Sequence, residues 1–152
     1  MKRNKIIVII PVYKSVLSDY DRISISRTCE VLASRDIVCI HPEGLDVGEV
    51  SRAFPSLEFK SFPKAFFEGI MGYNRMMMSS DFYSAFLDYD YMLICQTDAY
   101  IFRDELDDWC ARRYDYVGAP WLRRPVYDNA CACHYGINIF AEGSLSKTYT
   151  TR

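Results

Sequence analysis

The 152-residue chain has no G-x-G-x-x-G after its first apolar run and no G-x-x-x-x-G-K-[ST] anywhere. Neither a dinucleotide cradle nor a P-loop is encoded, so any phosphate must be met by side chains and a metal. G-x-S-x-G is missing too, which removes the nucleophile elbow of a hydrolase. There is no basic excess: the formal net charge is −2, without the positive footprint that a phosphate backbone requires, and no nucleic acid partner is expected. Long hydrophobic runs are absent as well. The start, MKRNKIIVIIPVYK, is continuously apolar only from Ile6 to Ile10, which is too short for a signal sequence or a transmembrane segment. This reads as a soluble, cytoplasmic protein. No internal repeat, low-complexity stretch or linker is visible.

Histidine is scarce, with only His41 and His134, while cysteine occurs six times, at 29, 39, 95, 110, 131 and 133. Three of these thiols sit in apolar runs such as Ile37-Val38-Cys39-Ile40, where a free thiol packs as a small hydrophobe and implies a reducing compartment. Cys131-Ala132-Cys133-His134 is the one metal-like cluster. Zinc sites space paired cysteines by two to four residues and need four ligands, so this segment reads as loop thiols.

Half of the residues are hydrophobic, enough for one core and one domain spanning residues 1–152. Lys5 to Val12 is a β-branched run of the kind buried on both faces of a parallel sheet. A helix is predicted over Asp19 to Ala33, capped by Ser18 or Asp19, with Ile25, Cys29, Leu32 and Ala33 on its apolar side. Strands follow at Asp36 to His41 and Leu57 to Phe62. Tyr73 to Leu87 reads as two helical pieces, the second capped by Ser80 or Asp81 and presenting Phe82, Ala85 and Phe86; the Met76-Met77-Met78 trio reads as core filler. Tyr91 to Cys95 is another buried-type strand, Asp104 to Arg113 a helix with acids first and arginines last, and Asp115 to Val117 a short strand. Strands alternating with helices predict an α/β fold around a mainly parallel sheet.

The segment Met92 to Phe102, MLICQTDAYIF, places an acid among residues that favour burial. Ligand crevices in such sheets open beyond the carboxyl ends of the strands, where Gln96-Thr97-Asp98 falls. A hard carboxylate there suits Mg²⁺ or Mn²⁺ bridging a diphosphate. Capping the following turn is the other use for it, and position alone leaves both open.

The run YDYMLICQTDAYIFRDELDDWCARRYDYVGAPW, together with IIVIIPVY and GYNRMMMSSDFYSAF upstream, resembles a family of glycosyltransferase-like domains of unknown function. The resemblance covers roughly residues 5–121, and Q-T-D-A paired with G-A-P-W is its most specific part. More broadly the order is similar to the GT-A fold, that of the nucleotide-diphospho-sugar transferases, a three-layer fold with a mainly parallel central sheet. There an arginine-bearing helix precedes a strand ending in D-x-D. The resemblance implies sugar transfer from a nucleoside-diphosphate sugar to a glycan or other acceptor, as in polysaccharide biosynthesis, with Mn²⁺ or Mg²⁺ as cofactor. Residue by residue, it implies a metal on Asp98, Gln96 in place of the first acid, Thr97 between them, Arg75 near the diphosphate, and Pro11, Val12 and Tyr13 against the base and ribose. It also implies a longer C-terminal side. Gly136 to Arg152 reads GINIFAEGSLSKTYTTR, in which only Gly143-Ser144-Leu145-Ser146 is similar to the family's glycine-rich segment. The expectation is a shortened copy lacking its acceptor side and catalytic base, with a non-catalytic sugar-nucleotide-binding domain as the alternative function. Asp104, Glu105 and Asp128 remain as acids, the first two placed for the helix dipole.

Overall fold

A computed structural model describes residues 4–118 and the backbone of 138–141. Its six-stranded sheet has the order β3-β2-β1-β4-β6-β5, made of β1 (Ile6–Pro11), β2 (Asp36–Pro42), β3 (Glu58–Phe62), β4 (Tyr91–Ile94), β5 (Tyr116–Val117) and β6 (Asn138–Ala141). The first four strands are parallel, and β6 runs antiparallel to both β4 and β5. The mixed α/β fold predicted from the alternation of elements is therefore present, with β4 inside the sheet. Expectations for Ala119 to Trp121, Asp128, Cys131 to His134 and Gly143 to Ser146 lie outside the described residues.

Every residue of β1 is buried, because helices cover both faces of the sheet. Ile7 and Ile9 point into one layer, where they meet Phe66, Met76, Phe82 and Phe86. Ile6, Val8, Ile10 and Val12 point into the other, against Ile25, Leu32, Val50, Leu106 and Cys110. The first layer belongs to α3 (Gly69–Met77), α4 (Ser80–Ser84) and a 3-10 turn over Lys64–Phe67; the second to α1 (Asp19–Val31), α2 (Gly48–Ala53) and α5 (Leu106–Ala111). Among the described residues no helix is long and apolar enough to cross a membrane.

Some local expectations are corrected. α1 stops at Val31, so Leu32 caps its C-terminus and Ala33 lies exposed beyond it. Of the methionine trio only Met76 is fully buried, and Met78 is 79% exposed at the end of α3. Ser79, rather than Ser80 or Asp81, is the N-cap of α4, without a side-chain bond. α5 starts two residues late, because the Asp104 side chain accepts from Leu106 N at 3.0 Å and closes the turn before the helix. Asp104 also bonds Arg35, whose side chain is only 5% exposed and which reaches Asp107 as well. Asp104 thus ties α5 to the turn entering β2, and the acids in the helix's first turn are Asp107 and Asp108.

Gly72 marks where α3 is pressed closest to its neighbours. A Cβ there would lie 2.5 Å from Ala65 O and 3.2 Å from Phe66 C and O, all backbone atoms. Alanine in a helix interior ordinarily gains about 1 kcal/mol over glycine. Here the clash reverses the sign: we predict that Gly72→Ala destabilises by ~1–2 kcal/mol, the scale of core overpacking, and lowers the melting temperature by several degrees. A neutral or raised melting temperature would show that α3 does not seat as described.

Candidate active site at the ends of β1 and β4

The chain leaves β1 in one direction through α1 and later returns on its other side, through α3 and α4, into β4. Those connections lie on opposite faces, so the strand ends part between β1 and β4. This is a topological switch point, where open α/β sheets bind ligands. Register keeps the two ends level: Ile9 pairs with Ile94, and Cys95 N donates to Ile9 O at 2.9 Å. A shallow surface crevice of about 10 Å³ lies there, lined by Pro11, Val12, Tyr13, Lys14, Leu17, Asp21 and Thr97.

α1 positions one wall. Its buried residues are Asp21, Ser24, Ile25 and Thr28, the i, i+3, i+4, i+7 spacing of a single helix face, but three of the four are polar. Each is matched to the segment that follows β4. The Ser24 hydroxyl donates to Ala99 O, Thr28 Oγ1 contacts Cys95 Sγ at 3.6 Å, and Asp21 lines the crevice beside Thr97. One turn along, Arg27 donates to Ile101 O and Phe102 O, both at 3.0 Å. Gln96 to Ala99 form a tight turn closed by Ala99 N donating to Gln96 O at 3.0 Å. Asp98 sits exposed at its tip.

Asp21 also completes the N-terminal cap of α1. Its Oδ2 accepts from Ser18 N at 2.9 Å and Ser18 Oγ at 2.7 Å, while Asp21 N donates to Ser18 Oγ in return. Burial pushes the Asp21 carboxyl up, but the bonds from Ser18, the Thr97 side chain and the Lys14 charge together outweigh it and hold the group below the usual carboxylate range. Asp98 shifts the other way. Loss of water raises it most and the Asp21 charge adds to that, against a lowering bond from its own backbone N–H. Asp98 is exposed, so solvent screens this shift.

Asp21 and Asp98 are close enough for the charge of the first to act on the second. Among the described residues no group of three or more His, Cys, Asp and Glu side chains converges to hold a metal. An ion held here would have to take one or two carboxylates and complete its shell with water and ligand oxygens, as Mg²⁺ or Mn²⁺ can.

Of the residues predicted from sequence, Pro11, Val12, Tyr13 and Thr97 line the crevice, with Tyr13 57% exposed. Gln96 and Asp98 flank Thr97 in the turn. Arg75 is exposed on α3, which packs on the opposite face of the sheet, and lines no part of this crevice. Asp104 is bound to Arg35 and Glu105 to Arg103, away from the crevice lining. Lys14, Leu17 and Asp21 were not anticipated. The signal for Asp21 was the polar spacing Asp21–Ser24–Thr28, where an amphipathic helix would carry apolar residues.

Sheet, crevice and flanking helices define an α/β domain built on a mainly parallel sheet. Among solved structures the chain is similar to a cytidylyltransferase from Leptospira borgpetersenii serovar Hardjo-bovis (strain JB197), at 10% identity and a TM-score of 0.51, covering 91% of this chain and 60% of that one. It is also similar to the PaToxG glycosyltransferase, at 15% identity and a TM-score of 0.42, covering 66% of this chain and 44% of that one. The chain thus spans about half the length of these structures. No curated protein matches it in sequence. Residues 56–146 match the family described as "Protein of unknown function (DUF5672)", and the chain belongs to that family.

The two carboxyls give opposite pH dependences. Asp98, raised in the fold, binds its proton more tightly folded than unfolded, so its ionised form costs stability above the folded pKa and the cost fades as pH falls toward 3.8. Asp21, lowered, contributes stability above 3.8 that is lost as pH falls through its folded pKa. Asp98→Asn is accordingly expected to melt higher than the parent at neutral pH, with the gap closing toward 3.8. Melting curves across that range test this, and a gap that does not vary with pH would remove the conflict between the two acids.

Proposed function

We propose that the crevice binds a nucleoside-diphosphate sugar and that the chain serves glycosyl transfer to a glycan or other acceptor. The observation that carries this reading is the meeting of Pro11–Lys14 with Thr97 and the buried Asp21 at the β1/β4 switch point, with Asp98 next in the turn. The exposed ring of Tyr13 offers a face to a base at the end of β1. The Lys14 ammonium, 5.7 Å from that ring, offers a point charge to phosphate. Asp98 would hold Mn²⁺ or Mg²⁺ with the Asp21 charge behind it. When bound, the ion neutralises the charge that develops on a departing diphosphate. The diphosphate role implied for Arg75 would require a ligand that extends past the sheet edge to the α3 face.

A second reading, binding without transfer, is favoured by Gln96. Its amide hydrogen-bonds a hydroxyl well but is a weaker metal ligand than the acid of D-x-D.

Calorimetric titration with UDP-glucose, UDP-N-acetylglucosamine and GDP-mannose, with and without Mn²⁺, tests both readings. Mn²⁺-dependent binding of at least one is expected, and Asp98→Asn is expected to weaken it at least about tenfold, the equivalent of ~1.4 kcal/mol, with the fold intact. Release of the nucleoside diphosphate in the presence of acceptor supports transfer, and binding without release supports the second reading. Binding by none of the three excludes both. Unchanged affinity in Asp98→Asn leaves that carboxylate as a turn cap.

A further inference from the structure

We propose that the outer edge of β3 is the surface on which two copies of this chain pair, strand against antiparallel strand about a two-fold axis, to form a dimer. The pairing goes beyond the nucleotide reading and does not depend on it.

β3 is the end strand of the sheet, and among the described residues β2 is the only strand bonded to it. Backbone groups of successive residues in a strand point to alternate sides, and Glu43 N donating to Phe62 O at 2.9 Å fixes their direction here. Glu58, Lys60 and Phe62 thus turn their N–H and C=O groups toward β2, and Phe59 and Ser61 turn theirs outward. Among the described residues no hydrogen bond reaches Phe59 or Ser61 on that side. Such an edge is normally guarded by charge or covered. The charges present, Glu58 and Lys60, stand exposed on the face of β3 that carries Phe62.

Those charges select one register. Opposed about Phe59, two copies of β3 exchange both of the outward N–H···O bonds of Phe59, and Glu58 of each lies across from Lys60 of the other in the closer, non-hydrogen-bonded pairs. Opposed about Lys60 instead, the two ammonium groups face each other, which is destabilising. Opposed about Ser61, Phe59 meets Pro63, which has no N–H to give. In the favoured register both charges are available. Glu58 has no ion pair among the described residues. Lys60 Nζ donates to Ala85 O at 3.1 Å and lies 5.1 Å from the Phe86 ring, contacts that hold the side chain in place and leave two of its three N–H groups to donate. On the other face the half-buried Phe59, 6.3 Å from the His41 ring, meets its own copy across the axis.

The contact is isologous, so it closes at two copies. Five residues a side fall well short of the roughly 1,600 Å² of a standard interface, which makes the dimer weak and dependent on concentration. Antiparallel pairing also reverses the parallel strands of one copy relative to the other, so the two crevices open at opposite ends of the joined sheet.

Sedimentation velocity of the full chain between about 10 µM and 1 mM tests the pairing, alongside Glu58→Lys, Lys60→Glu and the double exchange of both. The parent is expected to pass from monomer to dimer within that range. Either single exchange sets like charges opposite one another and is expected to weaken association at least about tenfold, while the double exchange restores it. The two single variants mixed in equal amounts are expected to form a dimer that neither forms alone. Glu58→Lys breaks no described hydrogen bond, and its melting curve checks that the fold survives, so the comparison stands even if Lys60→Glu, which also loses the bond to Ala85 O, does not fold. A parent that stays monomeric overturns the proposal and leaves this edge guarded by Lys60 or open to a strand of a different protein. A dimer indifferent to the exchanges overturns it as well and moves the contact to another surface, such as the exposed Ile70, Met71 and Met78 of α3.

Discussion

β1 is hydrogen-bonded on both edges and covered on both faces, and the rest of the molecule is arranged around that confinement. A strand held in this way must be apolar throughout, and the chain can leave it only beyond Pro11. Because β2 takes one edge by way of α1 and β4 takes the other by way of α3 and α4, the connections diverge above the strand's carboxyl end. The crevice is the gap they leave. Its lining is mixed, with Pro11, Val12 and Leu17 continuing the apolar core to the edge where Lys14, Asp21 and Thr97 begin.

α1 serves two purposes on one buried face. Ile25 and, at its C-cap, Leu32 anchor it to the sheet, while Asp21, Ser24 and Thr28 are turned toward the segment after β4. Burying polar groups is tolerated only when they are paired, and each of these is. Pairing of this kind fixes position more sharply than packing alone, because a hydroxyl or carboxylate has few acceptable partners and narrow geometry. A turn carrying an exposed acid is thereby given a defined place, with only Ala99 of its own residues packed on the core.

The sequence revealed those parts of the fold whose burial is symmetrical. β1, β2 and β4 stood out because strands covered on both faces read as unbroken apolar runs, and β3 because it alternates. α2, six residues long, and the four-residue 3-10 turn are under two helical turns, too short for a 3.6-residue period to show. β6 spans four residues and is defined by its partners β4 and β5 rather than by any local pattern. In the site, Asp98 was visible because an acid interrupts an apolar segment, and Pro11 to Tyr13 because a strand ends there. Asp21 was hidden: Ser18-x-x-Asp21 is a complete helix-start signal in itself, and nothing in the local sequence announces that the same residue lines a crevice with Thr97, 76 positions away.

The reversed strand β6 carries a practical consequence. It pairs with all four residues of β4, from Tyr91–Ala141 to Ile94–Asn138, and so separates the sheet's parallel half from its outer edge. A fragment cut anywhere between β5 and β6 would retain both cores described here yet leave the β4 ladder open along one side. Open ladders recruit other strands, their own copies included. Boundaries chosen for expression or crystallisation therefore belong beyond Ala141, and a shorter piece would test self-association before it tested anything about nucleotides.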